Sequence, residues 1–425
     1  MRRRMRRITA LLAGAVFATG LLALSSSVSA ATQAELEEKV RILEKALGEV
    51  KQELQEMKEA QKKETAEKTV KVAQKALPAW VQRIDLYGDL RFRHQFVTYS
   101  ELNGKSRDDR NRFLVRLRFG AKSQIHSDVK IGFRMSSGAD DNPTSTNETL
   151  GNFFAEKDKW GIDRAYVIWT PSFVPDRMLD LSFGKVQNPF VTSKAIWDGD
   201  VVPEGAFLTT TFNKKSNMRP FITAGAMLVD ESATDWPDDI YALAVQGGVN
   251  ADFGPLNLLA AMTYTDWGHL GEEGNLPPNI FGNTLNPGGE TLSGFKVWDI
   301  YARAGYDLSS KTTLDIWGHY LVNTDASGRY DDEDTGFALG AGLRYDKLKV
   351  SSWYKYVEAN ATPGFISDSD SGYVNRKGYI LDFSYKVLKP LTLSLTYFDM
   401  KAVDETLPGA SNDYKMILTQ GVFKF

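Results

Sequence analysis

Arg112-Phe113-Leu114-Val115-Arg116-Leu117-Arg118-Phe119 is the stretch on which the fold turns. Phe113, Val115, Leu117 and Phe119 share one parity, and Arg112, Leu114, Arg116 and Arg118 the other. That is a period of two, and on an extended chain it sets an apolar face opposite a largely basic one. The alternation returns at Val129, Ile131, Phe133 and Met135 against Lys130 and Arg134. It returns again at Leu391, Leu393, Leu395 and Tyr397 against Thr392, Ser394 and Thr396. The dyads predict strands, but they do not say what either face meets.

Working outward, candidate strands fall near 84–98, 110–124, 127–137, 163–170, 178–186, 205–213, 219–229 and 240–251. The rest fall near 255–265, 295–307, 311–323, 335–346, 348–358, 376–388, 390–400 and 414–425, sixteen in all. Short turns at Ile125-His126-Ser127, Asp252-Phe253-Gly254, Leu308-Ser309-Ser310, Asp346-Lys347 and around Lys389 alternate with long connections. The long ones span 138–162, 187–204, 266–294, 324–334, 359–375 and 401–413. A soluble sandwich has no reason to sort its loops by length. A membrane barrel does, because its two ends face different compartments. The expected fold is therefore all-β, a sixteen-stranded antiparallel transmembrane barrel over 84–425. Tyr166 and Trp169, Trp298 and Tyr301, Trp317 and Tyr320, and Trp353 and Tyr354 are expected at the lipid interfaces.

The composition fits. Hydrophobic residues make up 42% of the 425, aromatics 12%, and Gly outnumbers Pro 35 to 15. In a barrel only alternate residues face lipid, so the average looks soluble. The chain has no Cys, which removes disulfides, thiolate metal sites and cysteine nucleophiles. A formal charge of −3 argues against a nucleic-acid binder.

Residues 1–30 read as a secretory signal peptide: a basic start through Arg7, an apolar run over 8–24, then small residues before cleavage after Ala30. Removing its five arginines takes the formal charge from −3 to −8. Over 31–63, Leu36, Val40, Leu43, Leu47, Val50, Leu54 and Met57 recur in steps of four and three, the seam of a short helical coiled coil. Residues 64–83, with Pro78, read as a linker.

This arrangement resembles the bacterial outer-membrane porins, and more narrowly the Putative porin family that carries a periplasmic coiled coil ahead of its barrel. The signal segment, the heptads, the sixteen dyads and the terminal Phe425 carry the resemblance. It implies an outer-membrane location, a homotrimer, and a terminal phenylalanine read by the barrel-assembly machinery, which Phe425 would supply. It also implies that the third long loop, here 187–204 after the fifth strand, folds inward and narrows the pore.

A barrel of this size holds water, so the groups lining it set the function. The polar parity of the first three strands supplies a basic wall of Arg91, Arg93, Arg112, Arg116, Arg118, Lys130 and Arg134. The third loop supplies Asp198, Asp200 and Glu204. Acids facing bases would set a transverse field across a constriction. The expected function is passive diffusion of small hydrophilic solutes and ions, filtered by size and charge. The alternatives are uptake of a phosphate-like oxyanion along the arginines, and a structural anchor built on the coiled coil. No enzyme, cofactor or metal is expected. The four His lack metal spacing, although His94 and His319 could face the lumen. The acidic runs at 331–334 and 367–372 read as solvated loop tips.

Overall fold

The structure is a computed structural model. It describes residues 38, 41–42, 44–59, 81–101, 106–138, 142–151, 159–231, 239–270, 281–285, 293–327, 330–407 and 410–425. The chain divides into two units, 1–78 and 79–425. In the first, 44–59 is a helix whose seam residues Leu47 and Leu54 are exposed in the single chain. The expected signal peptide, the linker as far as 80 and seam positions Leu36, Val40 and Leu43 lie outside the described residues, and the last linker residues, Val81–Arg83, form a 3-10 turn.

The second unit is a sheet closed on itself. Its first strands are β1 (Ile84–Tyr99), β2 (Arg110–His126), β3 (Val129–Ser137), β4 (Glu148–Thr149), β5 (Trp160–Trp169) and β6 (Leu179–Lys185). Then come β7 (Glu204–Thr211), β8 (Met218–Asp230), β9 (Ile240–Phe253), β10 (Leu256–Gly268), β11 (Phe295–Ser309) and β12 (Thr312–Asn323). The last are β13 (Thr335–Tyr345), β14 (Leu348–Val357), β15 (Arg376–Lys386), β16 (Leu391–Ala402) and β17 (Tyr414–Lys424). Each long strand pairs antiparallel with its chain neighbours, and β17 pairs with β1, so no edge is left. The two-residue β4 pairs with Leu114 and Val115 of β2, beyond the end of β3. It resumes the line of β3 after an excursion over 138–147, so sixteen long strands form the ring. At the seam, Phe425 and Gly88 exchange backbone bonds of 3.0 and 3.1 Å.

The two ends differ as expected. Connections 127–128, 254–255, 310–311, 346–347 and 387–390 are tight, and 170–178 and 212–217 only moderately longer. The opposite end carries 100–109, 138–159, 186–203, 231–239, 269–294, 324–334, 358–375 and 403–413.

Outward residues are apolar and bare. Phe113, Ile162, Ile316 and Leu339 are each about 60% exposed, and Phe92, Ile300 and Leu393 about half. A continuous belt of this kind would be untenable in water and is what lipid requires. The aromatic expectation holds for half its members. Trp169, Trp298 and Tyr320 face out, as does Tyr354 opposite the exposed Leu339 and Tyr379, whereas Tyr301 and Trp353 are buried inside. Spacings of one or three residues on a strand place two side chains on opposite faces, so Tyr301, Trp317 and Trp353 cluster in the lumen.

The inner face is not polar throughout. At the loop end Trp267, Phe295, Leu321, Ile380, Phe398 and Met400 point inward and form one apolar cluster with Phe190, Ile196, Ile366 and Val374 of the loops. Folded-in loops thus build a small core inside the barrel. Truncating one of these isoleucines to alanine would cost about 2–5 kcal/mol by the usual cavity arithmetic.

Candidate functional site

The site begins with the register of β1 and β2. Asp89 lies opposite Arg118, Arg91 opposite Arg116, Arg93 opposite Leu114 and Gln95 opposite Arg112. All of these share the inward parity. On β3, Arg134 and Lys130 share it as well, opposite Gly120 and Gln124. All seven basic residues expected on the wall therefore face inward. His94 has the other parity. It stacks 4.7 Å from Phe113 on the outer face and is not a lumen group.

Guanidiniums stacked this closely need counter-charges, and the chain supplies them. Asp89, absent from the expected site, accepts from Arg116 Nη2 at 2.6 Å and from Arg118 Nε at 2.8 Å. Asp200 accepts from Arg118 Nη1 at 3.2 Å and lies 3.6 Å from Arg116 Nη1. Both oxygens of Asp370 accept from Arg93 Nη1 at 3.1 Å. Arg134 is bonded to Asp163. Arg112 donates to Gln95 Oε1 at 2.6 Å, and Arg91 to Asn147 Oδ1 at 2.5 Å.

Of the three expected loop acids, the structure brings only Asp200 onto the basic wall. Glu204 opens β7 and turns outward, where it pairs with Lys185. Its place at the head of a strand, rather than in the loop, sets that direction. Asp198 is buried but touches no arginine. Its Oδ1 accepts from the Asp200 backbone N–H at 2.7 Å.

The third long connection, 186–203, is tied to strand residues at both ends. At the near end the Val191 N–H donates to Gln246 Oε1 at 2.9 Å, and Gln246 Nε2 donates to Val191 O at 2.8 Å. Ser193 Oγ lies 2.8 Å from His319 Nδ1, and His319 Nε2 lies 3.0 Å from Asp299 Oδ1. Gln246, Asp299 and His319 sit on β9, β11 and β12. At the far end Asp200 grips β2. The near-end partners on β9 and β12 lie six and seven places from β2 in a ring of sixteen, so the loop is a strut between facing walls.

A second loop folds in beside it. In 358–375, Asn360, Ser367, Asp368 and Ser371 are all at most 1% exposed. The acidic run 367–372 is therefore not a solvated tip. Its Ile366 O accepts from the Asp198 N–H at 2.7 Å, Asp368 lies 3.4 Å from Lys194 Nζ, and buried Lys355 donates to Ser371 Oγ at 3.1 Å. Asn283 ties the same loop to the β10–β11 connection through Ala359 O at 2.6 Å and Thr362 O at 2.9 Å. From the β3–β4 excursion, Thr146 Oγ1 donates to Asp200 Oδ2 at 3.1 Å.

This packing sets the charges. Burial alone would raise the Asp200 carboxyl, but the guanidiniums of Arg116, Arg91 and Arg118 hold it below its ordinary value. Burial opposes ionisation of Asp370 too, and Arg93 and Lys194 overcome it. At Asp198 the pull of Lys194 and of the Asp200 N–H is outweighed. Burial, then Asp368 and Asp200, push it up to about 9, so it carries a proton at neutral pH.

Among the described residues no cluster of His, Asp and Glu is arranged to hold a metal. The geometry is that of a charged wall and a strut.

Comparison with known proteins agrees. The family model described as Putative porin matches residues 14–108 and 104–278. No curated protein matches the sequence. Among solved structures, the high-pH form of OprB from Pseudomonas putida matches with a TM-score of 0.53 at 12% identity, over 81% of this chain and 94% of that one. OmpF of Salmonella typhi, in complex with daunomycin, matches at 0.49 and 11% identity, over 80% and 97%. The outer membrane channel DcaP of Acinetobacter baumannii matches at 0.46 and 14% identity, over 80% and 97%. The likeness to OprB shows a shared barrel fold. With the family model spanning more than half of the residues, the chain belongs to the Putative porin family and is an outer-membrane channel protein.

Proposed function

We propose that the barrel passes small hydrophilic solutes and ions by passive diffusion, filtered by size and charge at the strut. One observation carries this reading: the 186–203 loop runs from His319 and Gln246 on one wall to Arg116 and Arg118 on the other. A chain laid across a wet lumen limits what fits beside it. A wall with guanidiniums and carboxylates in contact ranks what fits by charge.

In this reading the loop end faces outside and the turn end the periplasm, and the coiled coil is a periplasmic segment. The exposed Leu47 and Leu54 are covered by sister helices of a homotrimer. Phe425, whose side chain is 64% exposed, is free to be read by the assembly machinery.

Uptake of neutral sugars of graded size into proteoliposomes tests the filter. Rates should fall steeply with solute size. The double change Ser193→Ala with Gln246→Ala, which unties the near end of the strut, should raise the size limit. An unchanged limit would show that this loop is not the constriction.

A further inference from the structure

We propose that Arg91 is a binding step for a single oxyanion, the carboxylate or phosphate group of a passing solute. The proposal rests on the channel reading above and names the chemistry of one place in it.

The chain's own contacts show what this wall binds. Arg93, Arg116, Arg118 and Arg134 each hold a carboxylate, from Asp370, Asp89, Asp200 and Asp163. Arg91 stands among them, opposite Arg116 in register and two residues from Arg93. Yet its bond is to an amide oxygen, that of Asn147. Its Nε, buried with the rest of a side chain only 7% exposed, has no hydrogen-bond partner. A guanidinium recognises an oxyanion through two parallel N–H donors, and here one donor is held by a neutral group and another is vacant.

The charge count agrees. Arg91, Arg93, Arg116 and Arg118 bring four positive charges into one cluster, and among the described residues Asp89, Asp200 and Asp370 bring three negative ones. One positive charge remains among these four, and Arg91 is their member without a carboxylate; Arg112, farther along β2, also lacks one and is held by Gln95 Oε1. The site accordingly wants one negative charge on an oxygen. Asn147 lies on the β3–β4 excursion and is the natural group for the solute to displace. Beyond Arg91, a solute carboxylate meets arginines already occupied by the chain's own aspartates, which favours brief retention followed by release.

The test uses purified full-length protein in planar bilayers in potassium chloride, with inorganic phosphate and acetate added separately as probes. The expected result is a current that each probe reduces saturably. Asn147→Asp, nearly isosteric, supplies the missing carboxylate from within and should abolish the saturable component. Arg91→Gln should do the same by removing the guanidinium donors and their charge. Arg303→Gln, which breaks an ion pair with Asp315 on the opposite wall, should retain it. Saturation by phosphate alone or by acetate alone would still place a site here and would tell which head group it takes. Saturation that survives both Asn147→Asp and Arg91→Gln would overturn the assignment. So would a wild-type current that neither probe saturates, while leaving the channel intact. A wild-type protein with no current would overturn the channel reading itself.

Discussion

At the scale of the residue, the wall works because Asp89 sits between Arg116 and Arg118. Two guanidiniums side by side repel, and a carboxylate bonded to both turns the repulsion into a clamp. Removing one partner of such a buried pair costs about 3–5 kcal/mol, since the other stays behind uncompensated. Asp200 adds a second carboxylate from the strut, so it controls both the charge of the wall and the docking of the loop. Asp200→Asn should leave the wall one charge more positive and move the reversal potential in a salt gradient toward that of chloride. An unmoved potential would take Asp200 out of the ion path. Strand parity made the seven wall bases legible in the sequence. Asp89 has the same parity and was equally legible, but a search for bases passes over it. Glu204 was misplaced because parity begins where the strand begins, and β7 begins with that residue.

At the scale of the element, two loops rather than one fill the loop end. The resemblance to porins pointed to 187–204, after the fifth strand, as the loop to watch. Nothing pointed to 358–375. Its Asp368 and Asp370 resemble solvated loop acids, and only the fold brings Lys194 and Arg93 to them. Between the ordinary carboxylate range and about 9, the docked loop holds a proton on Asp198 that an undocked loop would release. Docking therefore weakens as pH rises through that window. Asp200 and Asp370 act in the other direction. Their depressed values make a contribution that is present above the ordinary carboxylate range and lost as pH falls through their own values. Around Asp198 the other charged or titratable groups are Asp200, Asp368, Lys194, Lys355 and Tyr373. Open-channel current noise should therefore grow from about pH 5 toward about pH 9. Asp198→Asn, with no proton to lose, should flatten that rise, and an identical profile in the variant would assign the noise elsewhere.

At the scale of the molecule, dyads, turn spacing and the alternation of short and long connections made the closed ring readable from sequence. Every strand must satisfy lipid on one side, and that demand writes a period of two into the chain. What filled the ring was less readable. The apolar inward positions at the loop end, such as Phe295, Leu321 and Phe398, answer to loops distant in sequence and not to lipid. The helix of the first unit exposes Leu47 and Leu54, a seam that a single copy leaves uncovered. Deleting residues 32–62 should weaken association between copies, read by cross-linking, while leaving barrel conductance in place. Unchanged association would remove the helix from assembly.

The central claim is that this barrel conducts. Purified full-length protein added to a planar bilayer under a potassium chloride gradient tests it most directly. The predicted result is stepwise, lasting increases in current, with a reversal potential that shifts toward chloride in Asp200→Asn. Protein that inserts as a folded barrel and passes no current would contradict it.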